Sequence, residues 1–210
     1  MLTDLTLTGF AAELASDSPA PGGGSVSAAA GSMAAGLVAM VCKLSIGKAE
    51  LEERERVLRD AQAAADKLRA TLLAAVDMDT DAYLGVVDAF RMPKGTDEEK
   101  AARAAQVQVA IRTAADVPLA TAESCLKVLK LIETVAAGFN TAAASDLGVA
   151  LQMAATGVAG GVLNVEINVP SLKDMVARDD LLRRAAEITA ETAGIVERVW
   201  PAVQEHVRAG

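Results

Sequence analysis

Carboxylates are concentrated in one short stretch, VDMDTDAY at residues 76–83, which carries Asp77, Asp79 and Asp81. The residues on either side are apolar, so these acids interrupt a helix that faces a protein interior. Successive helical side chains are about 100° apart, so acids at alternate positions cannot all face one site. We expect at least one to point inward, where desolvation raises its pKa toward the range useful for general acid–base catalysis. Three solvated acids on a helix surface are the alternative.

A glycine-rich turn, PGGGS at residues 21–25, begins a long apolar run. It lacks the Gly-Lys-Ser/Thr ending of a Walker loop, and no strand precedes it as in a dinucleotide-binding fold. A rigid, glycine-rich entry to a helix leaves backbone N–H groups free to meet an anion or a carbonyl oxygen. Glycines that only permit positive φ and close packing explain the motif equally well.

Polar residues also stand at both ends of a second apolar run. Ser145 and Asp146 precede it, where a helix N-cap is a sufficient explanation. Asn164 and Asn168 follow it four residues apart, hence on one helical face, and amides against an apolar interior need partners from protein or ligand. A C-terminal cap is the alternative for this pair. Lys48 is the best-placed cation after the first apolar run, although a surface lysine is the default.

The residue counts exclude several kinds of chemistry. The chain has one histidine, His206, and two cysteines, Cys42 and Cys125, without metal-ligand spacing. We therefore expect no metal site and no Ser-His-Asp triad, so that proton transfer falls to carboxylates, lysine, tyrosine or water. The net charge of −8 argues against nucleic acid as a partner. The first ten residues have no basic n-region, so we expect a cytoplasmic protein with reduced thiols.

Helix-period patterns run through nearly the whole chain, and almost no stretch alternates with period two. They predict six helices, over residues 5–15, 25–44, 51–90, 96–137, 142–166 and 171–207. Ser171 is expected to cap the last helix, Pro118 to kink or divide the fourth, and Pro201 to disturb the end of the sixth. No low-complexity linker separates these elements, so we expect one all-α domain over residues 1–210.

The second helix is long enough to cross a membrane. Alanine, glycine and serine dominate it, Lys43 interrupts it, and aromatic residues are missing at both ends, so we expect no membrane. We read the second and fifth helices as buried on nearly every face. Two such helices are more than a monomer of this size can cover, and we therefore expect self-association.

Taken together, these motifs resemble the cyclodeaminase/cyclohydrolase family of tetrahydrofolate enzymes. The resemblance covers nearly the whole chain and rests on six segments in order: SPAPGGGSVSAAAGSMAAGLVAMVCKLSIGK, VDMDTDAY, RMPKGTDEEK, DVPLA, NTAAASDLGVA and LNVEINVPSLKD. It implies a multihelical bundle with a buried central helix that works as a homodimer. It also implies a tetrahydrofolate derivative as substrate, with no bound cofactor.

The resemblance assigns roles by position. Asp79 corresponds to the catalytic aspartate of the family, and Phe139 departs from the family by standing where relatives often carry glycine. Substrate-binding roles are implied for Gly22, Gly23, Gly24, Ser25, Lys48, Asn140, Asp146, Asn164 and Asn168.

Two reactions of the family are open to this chain. A cyclohydrolase adds water to 5,10-methenyltetrahydrofolate and opens it to 10-formyltetrahydrofolate, whereas a cyclodeaminase releases ammonia from formiminotetrahydrofolate to give the methenyl compound. We favour the cyclohydrolase because no formiminotransferase domain accompanies these 210 residues. A non-catalytic helical packing protein is a third hypothesis, because only Tyr83 and Phe90 near the candidate site offer rings on which a pterin can stack.

Overall fold

The computed structural model describes residues 1–209, and every regular element in this range is helical. Six α-helices are found there: α1 Leu7–Leu14, α2 Gly23–Ser45, α3 Glu55–Arg91, α4 Asp97–Ala136, α5 Ala144–Asn168 and α6 Met175–Ala209. Short 3-10 turns lie at Leu2–Asp4, Ala49–Arg54, Thr141–Ala143 and Val169–Ser171. The predicted all-α bundle is confirmed.

Helix α2 lies at the centre of the bundle, in contact with α3, α4 and α5. Its alanine, glycine and serine side chains let the neighbouring helices approach closely. At one close crossing, Cys125 of α4 lies between Gly31 of α2 and Gly157 of α5. A Cβ at position 157 would lie 2.6 Å from the Cys125 sulfur, so no larger residue fits there. The predicted buried central helix is therefore present.

Two helical stretches, Gly23–Ser45 and Thr141–Ser171, are long and apolar enough to cross a membrane. Within the bundle, 61% of the most apolar 18-residue segment of the first stretch and 50% of that of the second are buried. Helices in the core of a helical protein have this composition, and their buried residues pack against other helices here. What stays uncovered is a narrow stripe along each helix.

Helix α4 runs unbroken through Pro118, so the predicted division of this helix is wrong. Proline has no N–H, which leaves the carbonyl of Ala114 without its usual partner four residues on. Asn168, the last residue of α5, donates its Nδ2 to that carbonyl at 2.9 Å. The proline is thus accommodated by a side chain from another helix, and the bond ties α4 to the end of α5.

The starts of α4 and α6 are capped by side chains. At the start of α4, Thr96 and Glu99 form a capping box. Ser171 does not cap α6 but belongs to a 3-10 turn. The side chain of Asp174 accepts the N–H of Ala177 at 3.0 Å instead, so the predicted cap lies three residues too early.

Candidate functional site

A cleft of about 220 Å³ opens where the start of α2, the middle of α3 and the end of α5 meet. We call it the Asp79 cleft. It is lined by Pro19, Ala20, Gly22, Gly23, Gly24, Asp79, Ala82, Tyr83, Val86, Ala114, Asn164, Ile167 and Asn168. Asp79 is the one carboxylate among these residues, so any proton transfer in the cleft centres on it.

A buried hydroxyl group fixes the orientation of the Asp79 carboxylate. Ser25, which is fully buried, donates its Oγ to Asp79 Oδ2 at 2.9 Å, and Thr80 Oγ1 lies 3.4 Å from the same Ser25 oxygen. Burial raises the pKa of Asp79 above its ordinary value, and the hydrogen bonds from Ser25 lower it by a smaller amount. A carboxylate with a raised pKa and a fixed orientation suits a general base or acid.

The three acids of the VDMDTDAY motif occupy different environments. Asp77 accepts hydrogen bonds from the backbone N–H of Leu2 and from Thr3 Oγ1, each at 2.6 Å. Asp81 is exposed. Asp79 alone enters the cleft, which separates the two candidates, Asp77 and Asp79, that pattern alone had left open.

In the glycine turn, close approach requires glycine at position 24, and backbone conformation requires it at none of the three positions. Among residues 1–209, Gly47 is the only one with positive φ, so that explanation is wrong for this turn. A Cβ at Gly24 would overlap the Asp79 carboxylate, 2.5 Å from its Cγ, and a Cβ at Gly23 would lie 3.4 Å from Asn164 Nδ2. The start of α2 has no side-chain cap, so its partial positive charge is directed at the cleft.

The paired asparagines lie on the opposite wall. Asn164 donates Nδ2 to the carbonyl of Gly160 at 2.8 Å, and Asn168 donates Nδ2 to the carbonyls of Asn164 and Ala114. Their NH₂ groups are thus directed at the protein backbone. Neither Oδ1 accepts a hydrogen bond from residues 1–209, so the two oxygens remain available to a ligand that donates.

Lys48, Asn140 and Asp146 are not brought to the cleft. Helices α2 and α5 run antiparallel, so the end of α2 meets the start of α5: the N–H of Asn140 donates to Ser45 Oγ at 2.9 Å, and its Nδ2 donates to the carbonyl of Leu44 at 3.3 Å. At 1.5 Å per residue, the length of α2 places this group about 30 Å from the cleft. Lys48 follows the end of α2 and Asp146 lies in the first turn of α5, so both are at this distant end as well.

The contacts that Lys48 and Asn140 make at this end are structural. Lys48 Nζ lies 3.8 Å from Glu50 Oε1. Asn140 accepts the N–H of Ala142 at 3.3 Å and so caps the 3-10 turn before α5, the role that the sequence had suggested for Ser145 and Asp146. The latter pair lies inside the helix.

Phe139, the departure from the family pattern, is buried. Its ring packs edge-on against His206, with 5.5 Å between the ring centroids. This contact fixes the backbone immediately before Asn140 to the end of α6.

Sequence reasoning placed Tyr83 near the site but missed other parts of the cleft wall. Tyr83 and Val86 follow Asp79 by four and seven residues and so share its helical face, a signal that could have placed Val86 there as well. Pro19 and Ala20 line the cleft because the chain folds back before α2, and no pattern in the sequence indicates this.

Other features of the molecule offer less chemistry. Within residues 1–209, no group of three or more His, Cys, Asp or Glu side chains is placed to hold a metal ion. A wider groove of about 400 Å³ lies between α5 and α6 beside Trp200, but its lining is mostly apolar and contains no carboxylate. The Asp79 cleft is therefore the candidate active site.

Comparisons with known proteins identify the family of the chain. Residues 6–187 match the family described as formiminotransferase-cyclodeaminase. A methenyltetrahydrofolate cyclohydrolase of Methylorubrum extorquens is 41% identical over 202 residues, which cover 96% of this chain and 97% of the relative. The formimidoyltransferase-cyclodeaminase of Mus musculus is 33% identical over 190 residues, which cover 90% of this chain and 35% of that longer protein.

A solved structure agrees with the sequence relatives. The crystal structure of formiminotetrahydrofolate cyclodeaminase from Thermotoga maritima superposes with a TM-score of 0.88 and 26% identity, covering 99% of this chain and 100% of that one. The resemblance inferred from the motifs is confirmed by both kinds of comparison. This chain belongs to the formiminotransferase-cyclodeaminase family.

Proposed function

We propose that this chain is a methenyltetrahydrofolate cyclohydrolase, which hydrolyses 5,10-methenyltetrahydrofolate to 10-formyltetrahydrofolate. The observation that carries the proposal is the Asp79 carboxylate, held by Ser25 at the base of a cleft with its pKa raised. The Methylorubrum extorquens relative, which aligns over nearly the full length of both chains, supports this choice of reaction.

In the proposed mechanism, Asp79 moves one proton twice. A water molecule adds to the methenyl carbon while the Asp79 carboxylate takes its proton, which gives a tetrahedral carbon that bears a hydroxyl group. The carbon–N5 bond then breaks, the protonated Asp79 gives a proton to N5, the hydroxyl proton leaves to solvent, and the formyl group remains on N10. A positioned acid–base group of this kind contributes roughly 10²–10⁴-fold in rate.

The surroundings of Asp79 suit a cationic, hydrogen-bond-donating ring system. The methenyl group carries positive charge, which a buried carboxylate stabilises electrostatically. The free Oδ1 atoms of Asn164 and Asn168 would accept N–H groups of the pterin ring. Gly22, Gly23 and Gly24 leave room for the substrate beside the carboxylate. Under this proposal Lys48, Asn140 and Asp146 have no substrate contact within one chain.

A cyclodeaminase is the second candidate, supported by the structural match to the Thermotoga maritima protein. The same Asp79 would then act as an acid toward the departing ammonia. The two reactions are distinguished by incubating the purified protein with each substrate. Loss of the methenyl absorbance above the uncatalysed rate identifies the cyclohydrolase, and ammonia release from formiminotetrahydrofolate identifies the cyclodeaminase.

Matched variants test the role of Asp79 in either reaction. Asp79→Asn should lose turnover while calorimetry still detects binding of the folate, whereas Asp81→Asn, which changes an exposed acid on the same helix, should retain both. Near-normal turnover by Asp79→Asn would reject the mechanism. Absence of heat with any reduced folate would favour the non-catalytic packing protein.

We also propose that the chain works as a homodimer through an exposed face of α2 and α5. This α2–α5 face comprises residues 26, 30, 33, 37, 40 and 44 of α2 and residues 145, 149, 152, 156, 159 and 163 of α5, all exposed or half-exposed. Both stripes alternate steps of four and three residues, the spacing of a coiled-coil seam. None of these positions carries an ionisable side chain, and four large apolar ones, Met33, Leu44, Val149 and Leu163, are 48–64% exposed.

The direction of the two stripes supports a single contact surface. Gly31 and Gly157 face α4, and the stripe positions lie about half a turn away from them on each helix. Both stripes therefore point away from α4, side by side. Light scattering of the purified protein should give about twice the mass of the chain, and the monomer mass at micromolar concentration would contradict the dimer.

We further propose that the protein works in the cytoplasm. Its two cysteines are buried and unpaired, and burial raises the pKa of Cys42 to about 11 and that of Cys125 to about 12, so both remain protonated thiols. This state is compatible with a reducing compartment. Fractionation of the source cells, with immunodetection of the protein, tests the location.

A further inference from the structure

Residues 1–21 form an arm that is fastened to the rest of the protein at both ends. At its beginning, the first 3-10 turn binds the side chain of Asp77 on α3. At its end, Pro19 and Ala20 form a wall of the Asp79 cleft before the chain enters α2. Between these points lies α1, which has no buried residue, so packing holds the middle of the arm only weakly.

The fastening at Asp77 is specific. Its half-buried carboxylate accepts the N–H of Leu2 at one oxygen and the hydroxyl of Thr3 at the other, each at 2.6 Å. Hydrogen bonds to an ionised acceptor are stronger than those between neutral groups. The other side-chain hydrogen bonds of the arm, at Thr6, Ser16 and Ser18, stay within the arm. Release of this one carboxylate would therefore free the beginning of the arm.

The position of Asp77 directs the arm around α3. Asp77 precedes Asp79 by two residues, so the two side chains leave the helix about 200° apart. The arm thus begins on the side of α3 away from the cleft and ends within the cleft wall. A single helix carries the fastening on one side and the reactive carboxylate on the other.

We propose that Asp77 is a positioning residue for the substrate: by fixing the arm, it keeps the Pro19–Ala20 wall closed over the folate. This inference rests on the proposed function. Asp77 lies outside the cleft and does not reach the reacting atoms, so its removal should weaken substrate retention without changing the proton transfer of Asp79. The arm then acts on KM and not on kcat.

Two variants and one control test the proposal. Asp77→Asn keeps the size of the side chain but places an NH₂ group against one of the two donors, and KM for the methenyl substrate should rise at least tenfold with kcat within twofold of wild type. Thr3→Val removes a single donor and should raise KM two- to fivefold. Asp81→Asn changes an exposed acid on the same helix and should leave both constants unchanged.

Hydrogen exchange of the free protein supplies a readout that needs no substrate. Amides of residues 5–15 should exchange faster in Asp77→Asn than in wild type or Asp81→Asn. Faster exchange with an unchanged KM would overturn the role in substrate retention, and unchanged exchange would overturn the fastening itself. If Asp77→Asn fails to fold by circular dichroism, Thr3→Val decides the question by the same two measurements.

Failure of the proposed function is distinguishable from failure of this inference. A wild-type protein that processes neither folate would reject the proposed function. Comparison of the arm's exchange rates in the presence and absence of 5-formyltetrahydrofolate would still test whether the arm closes over a bound folate. Absence of protection in wild type would then overturn the inference.

Discussion

The contact between Gly24 and Asp79 allows a quantitative test of the site, because a single methyl group should displace the proposed catalytic carboxylate. In Gly24→Ala, the added Cβ would lie 2.5 Å from Asp79 Cγ, whereas carbon atoms need about 3.5–4.0 Å. The carboxylate must therefore move by about 1 Å or more. A misplacement of about 1 Å can cost 10²-fold in rate, and we expect kcat to fall by about that factor.

The same clash should appear in the stability of the protein. Overpacking a well-packed site costs about 1–3 kcal/mol, and replacing glycine by alanine in a helix returns about 0.5–1 kcal/mol. The net cost is therefore up to about 2.5 kcal/mol, and since each kcal/mol shifts Tm by about 2–4 °C in a chain of this size, Gly24→Ala should lower Tm by up to about 10 °C. Gly85→Ala, at an exposed position of α3 where a Cβ meets nothing within 4 Å, should leave Tm unchanged or raise it slightly.

A double-mutant cycle isolates the clash. In an Asp79→Ala background the obstructing carboxylate is gone, so Gly24→Ala should no longer destabilise and should raise Tm by about 1–4 °C through helix propensity. The coupling free energy between the two positions should then be about 1–3 kcal/mol. Thermal unfolding of the four proteins measures it. Equal destabilisation by Gly24→Ala in both backgrounds would refute the reasoning, because the cost would not come from Asp79.

Four other variants give separate tests. In Asp79→Asn, Tm should rise at pH 7. Burial raises the folded-state pKa of Asp79, so the protonated acid contributes stability below the unfolded-state pKa, and this stability is lost as the pH rises through the folded-state pKa. The gain in Tm over wild type should therefore vanish in strong acid. In Ser25→Ala, loss of the hydroxyl, whose hydrogen bond lowers this pKa, should move the acidic limb of the kcat/KM profile to higher pH; an unmoved limb would contradict Asp79 as the titrating group. Tyr83→Ala should raise KM about tenfold or more by loss of a stacking ring, while Tyr83→Phe should not; because Tyr83 is the sole tyrosine, ¹³C-tyrosine labelling gives one resonance that should shift when folate binds. Ala159→Glu should place charge on the α2–α5 face and halve the mass measured by light scattering, while Val109→Glu, at an exposed position of α4, should not.

The helices and an acidic side chain directed inward could be predicted because both depend on residues that are close together in the sequence. Helix α2 was recognisable from its run of small apolar residues, and its observed bounds differ from the expected ones by two residues or fewer. An acidic side chain within an apolar helix must either line a cleft or form a buried ion pair or hydrogen bond. Pattern alone could not choose between Asp77 and Asp79, because the partner of Asp77 lies in the arm, 74 residues earlier in the chain.

The features that escaped prediction depend on contacts between distant segments. Pro118 was expected to kink or divide α4, and the division is wrong. Asn168 satisfies the carbonyl that the proline leaves free, and nothing near Pro118 in the sequence indicates this donor. The polar residues at the two ends of α5 looked like parts of one site. Because α2 and α5 pack antiparallel, only Asn164 and Asn168 reach the glycine turn, while Asp146 lies at the far end.

The crossing of three helices at Cys125 has a practical use. Its sulfur is enclosed by Gly31 and Gly157 and has no exposed surface, so an alkylating reagent can reach it only after these helices separate. Under conditions where reclosing is faster than alkylation, the labelling rate measures the free energy of that separation. The native chain thus contains its own chemical probe of core opening, with no label introduced and no residue of the Asp79 cleft disturbed.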